Sequence, residues 1–355
     1  MATIGIIGAN GQVGLEVCLF LKVFAQDRVV AISRTEVGSF LLRRLGIECR
    51  HGSVGNATEA KSLLSGCDLV ADFSLPKGLA STQRAVIKKN IVNAMSDAEE
   101  SAKYVFISST MVFGRDRFGA YRHDWVPRTV YAASKRYGER LAISLGRKFN
   151  RDVYILRLGN VYGLLQSISR DLNASLRDQP AYVPNETSDS VFAFTIAEAL
   201  SNITRYKERP GIYTAISSPS WKWKDLLAYY CADRGFNSPI IEVDSKPESG
   251  FGKRLLKATS GSIATMVNQN RQCLTGNILA KFPDWEMMIK LRCLAHNTAS
   301  DICAFESRSQ YTPFHRIGFV PGTRLSSLSD SRETMSPSMQ LAKTMLRNIG
   351  IHLDR

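Results

Sequence analysis

No apolar run in the sequence is long enough to cross a bilayer, so no membrane span is expected. The seven cysteines (Cys18, Cys49, Cys67, Cys231, Cys273, Cys293, Cys303) are odd in number, scattered and nowhere in C-x-x-C spacing. That argues against a disulfide framework and against a zinc site, and for reduced thiols in a cytoplasmic protein with no bound metal. The chain enters "ATIGIIG" at once, with no basic n-region or cleavage site before it, so no signal or transit segment is expected. There is no internal repeat and no low-complexity tract, which excludes solenoids and disordered tails. Acidic residues are scarce: 32 Asp and Glu stand against 46 Lys and Arg, a net charge of +14 carried by both ends of the chain. Nucleic acid and a phosphorylated small molecule would each suit such a surface, and a merely soluble basic protein remains the default reading of charge alone.

What the chain does have is alternation. The short runs "TIGIIG", "RVVAIS", "LVADFS", "YVFISS" and "VYILRLG" are rich in Val, Ile or aromatics and bounded by Gly, Ser or Asp, as buried parallel strands are. Between them, "GQVGLEVCLFLKVF", "EVGSFLLRRLG", "TEAKSLLSG", "TQRAVIKKNIVNAM" and "SKRYGERLAISLGRKF" have helical periodicity. With 355 residues, 44% of them apolar, one large or two medium domains can be built. The expected class is α/β: a Rossmann-type doubly wound parallel sheet over residues 1–160, with a smaller, mixed C-terminal region over 161–355. In the latter, "DSVFAFTIAEALSNI" and "SWKWKDLLAYYCADRG" read as helices and "GIYTAIS" and "IIEVD" as strands, and segments near 190–216 are candidates to rejoin the sheet. Beyond Phe251, "ILAKFPDWEMMIKLRCLA" and "MQLAKTMLRNIG" read as helical.

"GIIGANGQVG" places Gly8, Gly11 and Gly14 between the first strand and the first helix, with Asn10, Gln12 and Val13 filling the turn. Glycines there allow a tight turn and close backbone approach to a pyrophosphate, which the helix N-terminus would bind. The spacing is G-x-x-G-x-x-G, so its position after a strand carries the inference more than the pattern does. The second strand ends "AISRT", with Ser33 and Arg34 where an NAD site has an acidic residue for the ribose 2′-hydroxyl. An arginine pairs with a 2′-phosphate, so NADP(H) is expected ahead of NAD(H).

In "VYAASKRYGERLA", Tyr131 and Lys135 stand four residues apart, on one face of a helix. An ammonium near a phenol favours the phenolate and turns a weak acid into a usable base. On its own the pair reads first as a solvated pair on an exposed helix. The glycine turn, "YVFISSTMVFG", Y-x-x-x-K and "LRLGNVYG" in that order resemble the extended short-chain dehydrogenase/reductase family, in its NAD-dependent epimerase/dehydratase group. The resemblance is clear over residues 3–163 and weaker beyond. It implies that Tyr131 is the acid/base, that Lys135 bonds the nicotinamide ribose and lowers the Tyr131 pKa, and that Ser109 bonds the same substrate oxygen. It also implies that Thr110 and Asn160 face substrate, that Phe73 and Ser74 run beside the cofactor, and that Ser53 and Val54 contact adenine, although the family usually has Asp where Ser53 stands.

Several positions depart from the family. Thr110 and Met111 stand where its dehydratases carry Asp and Glu, and a methionine cannot abstract a proton, so 4,6-dehydration is not expected. Leu164 and Leu165 replace Pro-Gly. The loop with Arg115, Arg117, Arg122 and Arg128 is unusually basic and could draw in a diphosphate, or could simply be solvated; His123 and Asp124 within it are read as exposed. The leading expectation is an NAD(P)-dependent epimerase or reductase of a nucleoside-diphosphate sugar, using Ser109, Tyr131 and Lys135, with a homodimer compatible. A reductase of a non-sugar ketone or aldehyde is the second reading. A non-catalytic NAD(P)-binding regulator or RNA binder is the third, and it would have shown itself by loss of Tyr131 or Lys135.

Overall fold

The runs of Val and Ile in the first half of the chain are buried on both faces, and they assemble into one parallel sheet. A computed structural model describes residues 2–243, apart from 25–26, 77–79, 116–120, 123–128, 167–179, 186–187, 189, 206–208, 217–221 and 235–236, together with 341–342 and 344–349. Strands β1 (Thr3–Ile7), β2 (Arg28–Ser33), β3 (Glu48–His51), β4 (Leu69–Asp72), β5 (Lys103–Ser109), β8 (Val153–Leu158) and β12 (Gly211–Ala215) form a seven-stranded sheet in the order β12-β8-β5-β4-β1-β2-β3. Every pairing in it is parallel. Side chains alternate between two apolar clusters, Val105 and Ile107 entering one and Tyr104 and Phe106 the other.

Helices α1 (Gln12–Phe24) and α6 (Ala193–Arg205) cover the first face, where Phe20 meets Phe194 edge-on with centroids 5.5 Å apart. Helices α3 (Ala57–Leu64), α4 (Ala80–Asp97) and α5 (Val130–Phe149) cover the second, while the short α2 (Phe40–Arg44) packs its Leu41 and Leu42 with the first. Ala342, Leu346 and Ile349, near the C-terminus, pack into the first cluster.

The chain leaves the sheet after β8 and returns to it. Strand β9 (Asn160–Tyr162) pairs with β11 (Ser190–Phe192), and β10 (Ala181–Pro184) pairs with β13 (Ile240–Val243) outside the main sheet. Strand β12 then lies against β8, and α7 (Trp223–Arg234) precedes β13. Two elements differ from the sequence reading. "DSVFAFTIAEALSNI", read as helical throughout, opens with strand β11; its apolar residues run straight into the helical pattern and hide the change of period. Strand β3, "ECRH", was not expected; it is an edge strand with partly exposed side chains. The segment 278–295, read as helical, lies outside the described residues.

Helix α5 has explicit ends. Thr129 Oγ1 accepts from the Ala132 N–H, Arg147 and Lys148 occupy the last turn, and Asn150 closes it at φ 49°. The Arg151 guanidinium then donates to the carbonyls of Met95, Ala98, Glu99 and Ala102, tying α5 to the end of α4. Midway, Gly138 lets α5 lie close on β5: a Cβ there would stand 2.3 Å from the Phe106 ring. Gly138→Ala should therefore destabilise the protein by roughly 1–3 kcal/mol, as overpacked cores do. Urea unfolding checks this, and an unchanged midpoint would refute it.

Candidate active site

Gly8, Ser33 and Phe73 lie at the C-terminal ends of strands β1, β2 and β4, on one edge of the sheet. Gly8 follows β1 at φ +77°, where a Cβ would sit 3.0 Å from the backbone of Phe73 and Ser74, so only glycine fits. Gly11 donates to the Gly8 carbonyl at 2.9 Å and Leu15 to that of Gly11 at 2.8 Å, winding the turn into α1. A Cβ at Gly14 would lie 2.6 Å from the Gly8 carbonyl oxygen, so this glycine serves the turn itself. At Gly11 a Cβ would meet only that same oxygen, at 3.2 Å, and otherwise open space. Asn10, Gly11 and Gln12 are exposed, and the first turn of α1 holds no acidic residue. An open glycine turn at a helix N-terminus could hold a pyrophosphate.

Around it, Ser33 is buried and donates to the Thr35 carbonyl, while Arg34 is exposed. The Ser53 N–H donates to Glu59, and the Val54 carbonyl accepts from Asn93. The Phe73 N–H donates to the Ile7 carbonyl, and the Ser74 N–H to Asp72.

At the reactive end, Ser109 closes β5 and begins a single 3-10 turn, Thr110–Val112, its Oγ accepting from the Met111 N–H at 3.2 Å. Tyr131, in the first turn of α5, hydrogen-bonds to Ser109. Lys135, one turn further on, is buried; it donates to the Ile107 carbonyl at 2.8 Å and the Ser74 carbonyl at 3.4 Å, and sits 5.1 Å from the Phe106 ring centre. Burial pushes the Tyr131 phenol above its ordinary value, with the Ser109 hydrogen bond pulling back. The Lys135 ammonium is meanwhile engaged by the two carbonyls. Lys135 itself is pushed down to about 8 by burial, against the pull of Asp72 and Glu139. Below it, Glu139 receives Arg157 through Nε at 2.9 Å and Nη2 at 2.7 Å, and Ser108 at 2.6 Å.

Asn160, on β9, does not join the Ser109–Tyr131 pair; its amide donates to the Ser188 carbonyl at 2.5 Å. Thr110 is buried beside Ser109. Arg115 and Arg122 fall on a short antiparallel pair, β6 (Gly114–Arg115) and β7 (Tyr121–Arg122), while Arg117, His123, Asp124 and Arg128 lie outside the described residues. Among the described residues no cluster could hold a metal ion, and no helix is long and apolar enough to cross a membrane.

Sequence reasoning missed Glu16. This fully buried carboxylate on α1 accepts the N–H groups of Leu164 and Leu165 and the Gln166 amide, so it ties α1 to the segment following Asn160. Its partners are about 150 residues away, and nothing local marks it. Burial raises its pKa to about 7.

Residues 4–179 match the family model described as the NAD dependent epimerase/dehydratase family. The chain is 26% identical over 258 residues to the spore coat polysaccharide biosynthesis protein SpsK of Bacillus subtilis, covering 69% of this chain and 84% of that one. Its fold is similar to UDP-glucuronic acid 4-epimerase from Bacillus cereus in complex with NAD, with a TM-score of 0.54, 16% identity, and coverage of 68% of this chain and 87% of that one. It is also similar to dTDP-glucose 4,6-dehydratase from Bacillus anthracis in complex with NAD, with a TM-score of 0.56, 12% identity, and coverage of 69% and 86%.

A carboxyl whose folded pKa lies above its unfolded value binds its proton more tightly when folded, so it contributes stability at low pH that is lost as pH rises. For Glu16 this window runs from about 4.5 to about 7. Wild-type stability relative to Glu16→Gln should fall across it by up to about 3 kcal/mol. Urea melts of both proteins at several pH values check this; a difference that stays constant or grows with pH would refute it.

Proposed function

Because residues 4–179 match the model of the NAD dependent epimerase/dehydratase family, we propose that the chain binds NAD(P) in the glycine cradle and is an epimerase or reductase of a nucleoside-diphosphate sugar. The observation that carries the chemistry is the Tyr131–Ser109 hydrogen bond with the Lys135 ammonium one helical turn away. A bound nicotinamide supplies the hydride chemistry. Tyr131 exchanges the proton of the substrate hydroxyl or ketone, and Ser109 holds the same oxygen. Lys135 is the charge available to the nicotinamide ribose and, once drawn towards it, to the phenolate. Thr110 and Met111 beside Ser109 offer no carboxyl to withdraw a second proton, which favours epimerisation or reduction over 4,6-dehydration. The sugar assignment draws support from the relative named for polysaccharide biosynthesis and from neighbouring folds named for UDP and dTDP sugars.

Tyr131→Phe removes only the proton-exchanging oxygen. Turnover should fall on the order of 10²–10⁴-fold while cofactor affinity, read by fluorescence titration, stays near that of the parent. Substrate class is read by thermal shift with a panel of nucleoside diphosphates and their sugars in the presence of cofactor, since a bound ligand stabilises the folded state. If none stabilises the protein and a phosphate-free ketone is reduced instead, the simple-reductase reading replaces this one.

For the cofactor itself, the exposed Arg34 beyond β2, with no acidic residue at the end of that strand, favours the 2′-phosphate of NADP(H). NADP(H) should bind tighter than NAD(H), and Arg34→Asp should reverse the order; equal affinities in the parent protein would overturn the preference.

A further inference from the structure

Asp72 ends β4 in the middle of the sheet, buried to 1% exposure, with Ile7 on one side and Phe106 on the other. A carboxylate so placed must have its oxygens satisfied and its charge compensated. Oδ1 accepts the Ser74 N–H at 2.8 Å and Oδ2 accepts the Tyr104 hydroxyl at 3.2 Å. The Ser74 hydroxyl also bonds the carboxylate, and Asn90, reaching in from α4, donates to Ser74 Oγ at 3.1 Å. The other end of Ser74 faces Lys135, whose ammonium donates to the Ser74 carbonyl. One residue thus stands between a buried carboxylate and a buried ammonium, bonded to both.

We infer that Asp72 is the counter-ion of Lys135, the positioning residue that keeps this buried lysine charged for its role at the nicotinamide ribose; that role rests on the function proposed above.

The charged groups around Lys135 leave this assignment to Asp72. On α5 itself Glu139 lies one turn on, but it is already held by both ends of the Arg157 fork from β8 and by Ser108 from β5. Tyr131, on the same helix, and Tyr104, from β5, are neutral at pH 7, and α4 presents Asn90, which has no charge. Asp72 feels one cation, Lys135, and its other partners are a backbone N–H and two hydroxyls. Each group also acts on the other in the required direction. Asp72 is the first charge that holds the Lys135 pKa up against burial, and Lys135 is the charge that holds the Asp72 pKa down against it. With Lys135 already depressed to about 8, loss of the carboxylate charge would carry it towards or below neutrality. The lysine would then be an uncharged amine at the pH where the site works.

The first test needs neither cofactor nor substrate. In the ligand-free protein, melting temperatures are compared for wild type, Asp72→Asn, Lys135→Met and the double variant. Asp72→Asn keeps the shape and the Ser74 contact but removes the charge. Each single variant strands one buried charge, so each should lower the melting temperature; the double variant strands none and should melt no lower than the worse single. Strictly additive losses would overturn the pairing. The second test reads the pH–rate profile. The alkaline limb, where Lys135 loses its proton, should move down by about one unit or more in Asp72→Asn. In Tyr104→Phe, which removes a hydrogen bond from Asp72 but no charge, it should stay in place. Equal movement in both variants would mean that Asp72 acts only through its hydrogen bonds, and would overturn the inference. Should Tyr131→Phe prove fully active, the proposed chemistry fails while the melting cycle still decides the ion pair.

Discussion

The reactive end of the molecule depends on how closely α5 lies on β5. At Gly138 the helix has no side chain, and the Phe106 ring fills the space. One residue later Glu139 takes the Arg157 fork in a pair buried to a few per cent exposure, so the helix is also fixed in rotation about its axis. Tyr131, Lys135 and Glu139 follow at intervals of four and share one face. Fixing Glu139 against β8 therefore aims Tyr131, about 12 Å up the helix, at Ser109. The same Phe106 ring that sets the approach also lies beside the Lys135 ammonium. Breaking the buried pair from one side would cost roughly 3–5 kcal/mol, because it leaves an uncompensated charge. The tyrosine and serine thus meet through a contact made two turns away, between residues outside the proposed proton exchange.

Three of the buried carboxylates are accommodated in three different ways. Glu139 has a guanidinium in direct bidentate contact. Asp72 has hydroxyls, a backbone N–H and, across Ser74, an ammonium. Glu16 has only N–H donors and no cation, and its pKa rises to about 7. Hydrogen bonds alone hold Glu16 in place without making it a firm anion, whereas the two acids that flank Lys135 each have a cation to answer their charge. The ordering matches their positions. Charge is compensated in the two acids beside Lys135 and is left marginal in Glu16, which fastens one segment to another.

How much of this the sequence showed follows from which contacts are local. The central strands are buried on both faces, so β1, β2, β4, β5 and β8 read as unbroken apolar runs. Strand β3 is an edge, its side chains Glu, Cys, Arg and His, joined to β2 by its backbone ladder and by the Arg28–Glu48 pair; its pattern contains no core to detect. The Tyr131–Lys135 spacing and the glycine turn are short-range features of single elements, and both were visible. Glu16 and Asp72 were not, because their meaning lies in partners on other elements, about 150 residues away for Glu16 and 61–63 for Asp72 and Lys135. A glutamate within an apolar helical pattern, as in "GLEVCLF", carries no sign of what it will meet.

The Glu16 contact bears on how the two halves of such a site are held in register. The N-terminus of α1 is the proposed pyrophosphate end, and Asn160 on β9 is the proposed substrate end. Between them the sheet supplies one link, through β1, β4, β5 and β8. Glu16 supplies a second and shorter one, from the first turns of α1 directly to the backbone after β9. Gly163 shows how tight it is: a Cβ there would lie 2.1 Å from the Glu16 carboxylate. Gln166 adds a bond to the Gln12 carbonyl at the very start of α1, so the clasp closes on both sides of that first turn. Hydride transfer tolerates little misplacement of donor and acceptor. A strand referenced to the same helix that is proposed to receive the cofactor shares its small displacements, and the distance between the two changes less than either position does.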